Sequence, residues 1–244
     1  MDTNAPAPTG TRPPFFGASS DQREALAGGL VAAAVTAGYV LLAGYFDTPT
    51  VWVEGLALWA SLACVWLART ENIWTMPYGI VSVLLLGWYF LDIGLVGQGW
   101  LQYVYYVPIQ FAGWWAWARG GPGRTELRVS RLTAAGWGLL LVLAVPAWLA
   151  LAWLFGELYV DPSYLLWDTS IVAASVVAQT LMTLKKRESW WFWTIPVNIS
   201  AIALFSRTET WAFVFLYVVF LANSVWGWIQ WQRAEAVGAS QPAT

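Results

Sequence analysis

Amides, hydroxyls and indoles recur at helical spacing inside otherwise apolar segments, and these are the residues that could do chemistry. Gln102, Tyr106 and Gln110 follow an i, i+4, i+8 spacing that puts them on one stripe of a helix. Asp168, Ser175 and Gln179 repeat this at i, i+7 and i+11. Trp191, Thr194 and Asn198 share a face with Trp193 one position off it, and Trp74, Tyr217 and Asn223 add ring and polar groups on other segments. Polar side chains are costly in lipid unless they face protein, water or a solute, so they point to a pathway. The set is mostly uncharged, which suits hydrogen-bonding a sugar and stacking a flat ring. A cationic heteroaromatic ring would gain about 0.5–2 kcal/mol of cation–π attraction per Trp contact. Interhelical hydrogen bonding is the rival account of Gln110, Gln179 and Asn198. An interfacial belt is the rival account of Trp52, Trp100, Trp117, Trp148 and Trp231.

Other chemistries find little support. The chain has no histidine, which removes the commonest metal ligand, general base and proton relay together. Its single cysteine, Cys64, lies in an apolar run and reads as a small buried core residue, unable to form an internal disulfide or a thiolate metal site. No Gly-x-x-x-x-Gly-Lys loop cradles a phosphate, so ATP hydrolysis by the chain itself is not expected. A net charge of −2 without a basic stripe gives no reason to invoke nucleic acid. Asp168, near the outer end of its helix, could bind a cation, cap a neighbour or meet water, but a lone carboxylate is a poor proton relay. No cofactor or metal is expected, a membrane enzyme ranks low for want of a nucleophile paired with a base, and facilitated diffusion is the reading left standing.

The elements that must position these residues are spanning helices. With 59% of 244 residues hydrophobic and 11% charged, the chain holds more apolar surface than one soluble core could hide. Continuous apolar runs near the roughly 20 residues needed to cross the hydrocarbon argue for an all-α integral membrane protein. Eight spans are expected, at 25–46, 51–68, 74–92, 99–118, 132–155, 162–183, 190–206 and 210–232. Residues 1–24 read as a disordered tail and 233–244 as a second tail. Taking alternate segments, one side collects Arg12, Arg23, Arg69, Arg119, Arg124, Arg128, Arg131, Lys185, Lys186, Arg187 and Arg233, and the other only Arg207. Basic residues stay on the cytoplasmic side during insertion, so both termini are expected there.

Two segments share punctuation. Trp74-Thr75-Met76-Pro77 and Trp193-Thr194-Ile195-Pro196 both read Trp-Thr-x-Pro, and each is followed one helix later by a glycine and tryptophan pattern, Gly113-Trp114-Trp115-Ala116-Trp117 and Gly227-Trp228-Ile229-Gln230-Trp231. This implies two three-helix bundles, 51–118 and 162–232, joined by a linker helix at 132–155, with the helix at 25–46 as an extra N-terminal element. Three helices invert a unit and the linker restores it, so the bundles are expected to be parallel, with a solute site between them near the bilayer midplane.

An ordered set of motifs runs through Trp167-Asp168-Thr169-Ser170, then Ser175-x-x-Ala178-Gln179-x-Leu181-Met182-Thr183, then a basic loop and Glu188-Ser189-Trp190-x-x-Trp193, with Gly113-Trp114-Trp115-Ala116-Trp117 closing the first bundle. In order and spacing this set resembles the PnuC family of nicotinamide riboside transporters. The resemblance spans about 51–232 and implies a SWEET-like fold of three plus one plus three helices, often trimeric, in a bacterial inner membrane. It also implies uncoupled uptake made effective by cytoplasmic phosphorylation of the vitamin, with Trp193 stacking on the substrate and Asn198 hydrogen-bonding it. Here four residues separate that pair where the family has three, and Pro196 is the expected means of absorbing the extra one, which leaves Trp191 and Trp193 both open as the stacking ring. Relatives on this scaffold resemble transporters of thiamine or riboflavin, and a scaffold subunit without a pathway is the alternative from another class.

Overall fold

Inside hydrocarbon no water satisfies backbone N–H and C=O groups, so apolar segments of this length must close their own hydrogen bonds as helices. The structure is a computed structural model, and it describes residues 19–45, 52–92, 96–156, 165–207 and 211–240. In chain order the helices are α1 (Ser19–Tyr45), α2 (Trp52–Arg69), α3 (Thr75–Asp92), α4 (Val96–Leu101), α5 (Val107–Arg119), α6 (Ala134–Gly156), α7 (Leu165–Thr183), α8 (Glu188–Phe192), α9 (Ser200–Arg207) and α10 (Trp211–Ser240). Two π-helical stretches, Gln102–Tyr106 and Trp193–Ile199, run α4 into α5 and α8 into α9, so the described helices form eight rods, one at each expected span. Five of them, α1, α3, α6, α7 and the 213–236 part of α10, are long and apolar enough to cross a bilayer, as befits a multi-pass membrane protein.

Two boundaries differ from expectation. Helix α1 begins at Ser19, inside the expected tail, with Asp21 in its first turn beside the free N–H groups. It is tied down there by Asn72, whose Nδ2 donates to the Asp21 carbonyl at 2.9 Å and to Glu24 Oε2 at 3.0 Å. Residues 1–18 lie outside the described residues. Helix α10 continues to Ser240, past the expected end at 232, because Glu235 is gripped by Arg131 at 2.6 Å and Arg187 at 2.7 Å. Residues 241–244 lie outside the described set.

The α2–α3 and α7–α8 corners are built alike. Helix α2 ends with Glu71 in the left-handed region (φ 57°), its N–H donating to the Ala68 carbonyl while Asn72 N–H reaches Leu67. Helix α7 ends with Lys185 at φ 46°, its N–H donating to Met182 while Lys186 N–H reaches Leu181. Both are Schellman caps, which satisfy the last carbonyls at the cost of one strained residue. Each residue has its counterpart 114 positions later, the separation of Glu71 from Lys185. The same register relates Met76 to Trp190, Gly113 to Gly227 and Trp117 to Trp231. A Cβ on Gly113 would meet Met76 at 3.0 Å and one on Gly227 would meet the Trp190 ring at 2.6 Å, so each glycine admits the residue at the equivalent place in its own half. The Trp-Thr-x-Pro pair does not follow this offset, since Trp193 follows Trp74 by 119 positions; the 114-residue offset sets Pro77 against Trp191 and Gly79 against Trp193.

The halves grip each other at these corners. Trp117 donates its indole N–H to the Met182 carbonyl at 3.1 Å, and Trp231 donates to the Ala68 carbonyl at 3.2 Å. Their rings lie 6.0 Å apart, and Lys185, with a fully buried side chain, pairs with Glu71 at 2.9 Å. The connecting loop is stitched to the second corner, with Ser130 N–H donating to the Lys185 carbonyl and Arg187 N–H donating to the Ser130 carbonyl, both at 3.0 Å. Helix α1 packs on α2 through the small buried residues Ala25, Gly28, Gly29, Ala32 and Thr36, which let backbones approach. Helix α6 has no buried residue and rests against α7.

Candidate functional site

Polar groups placed on one face of each helix can share a site only if those faces converge. They do so around a cavity of about 200 Å³, lined from α2, α3, the α4–α5 rod, α7, the α8–α9 rod and α10, with no lining residue from α1 or α6. Of the residues singled out by spacing, Gln102, Tyr106, Gln110, Ser175, Gln179, Trp193, Asn198, Tyr217 and Asn223 all line it. Every lining residue among the described residues is uncharged.

Two expected residues, Trp191 and Trp74, are not brought there. Trp191 is 45% exposed and turns away from the cavity, its ring edge-on to Phe192. Trp74 lines a separate cleft with Trp59, Pro77 and Tyr78. Asp168 belongs to α7, but its side chain lies outside what the structure describes.

The local reason that Trp193 and Asn198 meet is the π-helical stretch Trp193–Ile199. In an α-helix, residues five apart point in directions that differ by roughly 140° at 3.6 residues per turn. The wider π turn, with i→i+5 bonding, brings them back onto one face. Pro196 lies within the stretch and lacks the N–H that a tighter turn would need. The face that Trp191, Thr194 and Asn198 would share in a regular helix therefore does not form; Trp193 and Asn198 take the cavity side.

Asn198 is 1% exposed, and its amide orientation follows from its neighbours. Ser224 Oγ gives its proton to the Leu221 carbonyl at 2.9 Å, so toward Asn198 it can only accept, and it takes the Nδ2 donor at 3.3 Å. The Oδ1 acceptor is left buried and without a protein partner among the described residues. Asn223 differs, since its Nδ2 is committed to the Val65 carbonyl at 2.8 Å, an interhelical tie. Tyr106 hydrogen-bonds Ser175 across the halves.

Several lining residues were not singled out by spacing. Ser61 and Ser82 hydrogen-bond at 2.6 Å, and Thr75 donates to the Cys64 carbonyl at 2.8 Å, so Cys64 belongs to the cavity wall and not to the plain core expected of it. Gly79 lies under Gln110: a Cβ there would come within 2.6 Å of the Gln110 amide. The 114-residue register was the available signal, because it sets Ser61 against Ser175 and Gly79 against Trp193. One end of the cavity meets the corner cluster of Ala68, Met76, Trp117, Met182, Trp190 and Trp231.

Comparison with known proteins adds to this geometry. A family model described as nicotinamide mononucleotide transporter matches residues 51–233. The chain is 30% identical over 196 residues to the nicotinamide riboside transporter PnuC of Neisseria mucosa, covering 76% of this chain and 73% of that one. It is 29% identical over 202 residues to the protein of the same name from Escherichia coli, covering 72% and 82%. A crystal structure of the vitamin B3 transporter PnuC matches with a TM-score of 0.71 at 26% identity, covering 91% of this chain and 99% of that chain.

Proposed function

The chain belongs to the nicotinamide mononucleotide transporter family, and from that premise we propose that it carries nicotinamide riboside across a bacterial inner membrane through the central cavity. The observation that carries this reading is the uncharged lining with one idle acceptor, Asn198 Oδ1, and the Trp193 ring beside it. Nicotinamide riboside is a monocation with a flat pyridinium, a carboxamide and a ribose. The indole attracts the ring through its π face, and Oδ1 accepts from a carboxamide N–H or a sugar hydroxyl. A mononucleotide would bring a phosphate, whose desolvation needs Arg or Lys, and no cationic side chain lines the cavity among the described residues. The riboside of the relatives' names is thus favoured over the mononucleotide of the family description. Trp193, Asn198, Gln110, Gln179, Gln102, Tyr106, Ser175, Tyr217 and Asn223 form the proposed binding set.

In this reading α2 to α5 and α7 to α10 are two parallel three-helix bundles, α6 is the linker and α1 is an addition. Support comes from the 114-residue register of the corners and from a cavity that both triplets line while α1 and α6 do not. Both termini are cytoplasmic, transport is uncoupled, phosphorylation inside the cell traps the product, and the protein is a homotrimer. No catalytic role is proposed. The test is uptake of labelled nicotinamide riboside by proteoliposomes enclosing a riboside kinase and ATP. Accumulation is expected with riboside and not with mononucleotide. Absence of riboside uptake by folded protein refutes the proposal, and binding of thiamine or riboflavin in its place reassigns the vitamin.

A further inference from the structure

Arg69 ends α2, and its guanidinium is sandwiched between two indoles, 3.9 Å from the Trp66 centroid and 4.1 Å from that of Trp226. The residue is 4% exposed, and its Nε and Nη1 have no hydrogen-bond partner among the described residues. Indole faces offset the positive charge but leave in-plane N–H donors unmet, and unmet buried donors are costly. Glu24 pulls on this charge electrostatically, yet its Oε2 is engaged by Asn72 at 3.0 Å.

Arg69 lines one end of an apolar groove of about 210 Å³ on the outer surface of the protein. Three helices build it at matching intervals, Gly28 to Val35 from α1, Leu62 to Arg69 from α2 and Val219 to Trp226 from α10. Each contributes two turns, so the groove runs about 10 Å along the helix axes. Apart from Arg69 and the indole edges of Trp66 and Trp226, the polar side chain lining it among the described residues is Asn223, whose Nδ2 is committed to the Val65 carbonyl. Val31 and Trp226, at 44% and 52% exposed, leave it open toward the surrounding medium. The groove is distinguished from the solute cavity by its α1 wall, which the cavity lacks, and adjoins it at Val65 and Asn223, which line both.

We propose that this groove is a binding site for one anionic phospholipid, with the phosphate on Arg69 and an acyl chain lying between α1, α2 and α10. A guanidinium offers a phosphate paired donors in one plane, the geometry that Arg69 leaves idle. Its end of α2 is the one where basic residues collect in the charge partition, the leaflet in which basic pockets between helices take lipid headgroups. The long apolar floor selects a lipid over a free anion. This inference rests on insertion in a bilayer and not on the identity of the transported solute.

The test titrates the full-length protein in detergent with phosphatidylglycerol or phosphatidylcholine of identical chains, and separately with inorganic phosphate, and counts bound lipid by native mass spectrometry. Wild type is expected to retain one phosphatidylglycerol with about tenfold preference over phosphatidylcholine. Arg69→Gln should reduce that preference to within about twofold. Ala222→Trp, a change at an exposed groove residue that keeps Arg69, should lower retention of both lipids. If Arg69→Gln does not fold, Ala222→Trp carries the test. No preference in wild type, preference persisting in folded Arg69→Gln, full retention in Ala222→Trp, or competition by inorganic phosphate at equal concentration each overturns the proposal.

Discussion

Replacing Asn198 with alanine deletes an acceptor that the fold holds against the cavity and that no protein group uses. It also deletes the donor to Ser224, a long bond at 3.3 Å. Ser224 keeps its own bond to Leu221 at 2.9 Å, so its proton is not orphaned. The main effect should therefore fall on the bound solute, whose donor would be desolvated without a partner. That costs about 1–3 kcal/mol, or about 5- to 150-fold in affinity. Isothermal titration of nicotinamide riboside into detergent-purified protein reads the affinity, and a thermal unfolding scan reads stability. Thr194→Val is the paired control: Thr194 does not itself line the cavity, and the change removes the hydroxyl that donates to the Trp190 carbonyl at 2.7 Å and lies 3.0 Å from Ser224 Oγ. It should lower the unfolding midpoint while leaving affinity within about threefold, since only a net hydrogen-bond contribution is lost. Folded Asn198→Ala that binds the riboside within about twofold of wild type would refute the assignment of Oδ1 to the substrate.

The Glu71–Lys185 pair has an asymmetry that predicts a sign: Lys185 is fully buried whereas the Glu71 side chain is 27% exposed, so Glu71→Gln, which leaves a buried ammonium with Glu126 at 3.5 Å and the Trp117 ring face at 4.7 Å, should destabilise by about 3 kcal/mol and exceed the cost of Lys185→Met. Comparing unfolding midpoints of the two variants checks the order. Gly79→Ala places a Cβ within 2.6 Å of the Gln110 amide, and the displaced amide should raise the uptake KM about three- to tenfold, for one compromised hydrogen bond, with little change in midpoint. Riboside uptake should be flat from about pH 5.5 to 8, because no group lining the cavity among the described residues has an ordinary pKa in that window; a profile with a step there would bring in a coupled proton.

That the apolar runs form helical rods was legible in the sequence, because hydrocarbon thickness and backbone hydrogen bonding act locally on each run, whereas the early start of α1 and the late end of α10 depend on the partners Asn72, Arg131 and Arg187. The polar stripes were legible as well: Gln102, Tyr106 and Gln110 need only helical periodicity to share a face, and the structure turns that face inward. Trp193 and Trp191 show where local reading stops, since the ring that reaches the cavity depends on a π turn at Trp193–Ile199 that rotates everything after it. The register between the halves was also ambiguous in one dimension. The Trp-Thr-x-Pro pair is 119 residues apart, whereas the caps at Glu71 and Lys185, which share no side-chain chemistry but have the same left-handed φ and the same cap hydrogen bonds, are 114 apart. Crossed bonds such as Trp117 to Met182 and Trp231 to Ala68, and the sandwich of Arg69 between Trp66 and Trp226, join segments far apart in the chain. Periodicity states which residues share a face, but which faces meet is set by the packing of all the helices together, and only the folded arrangement decides it.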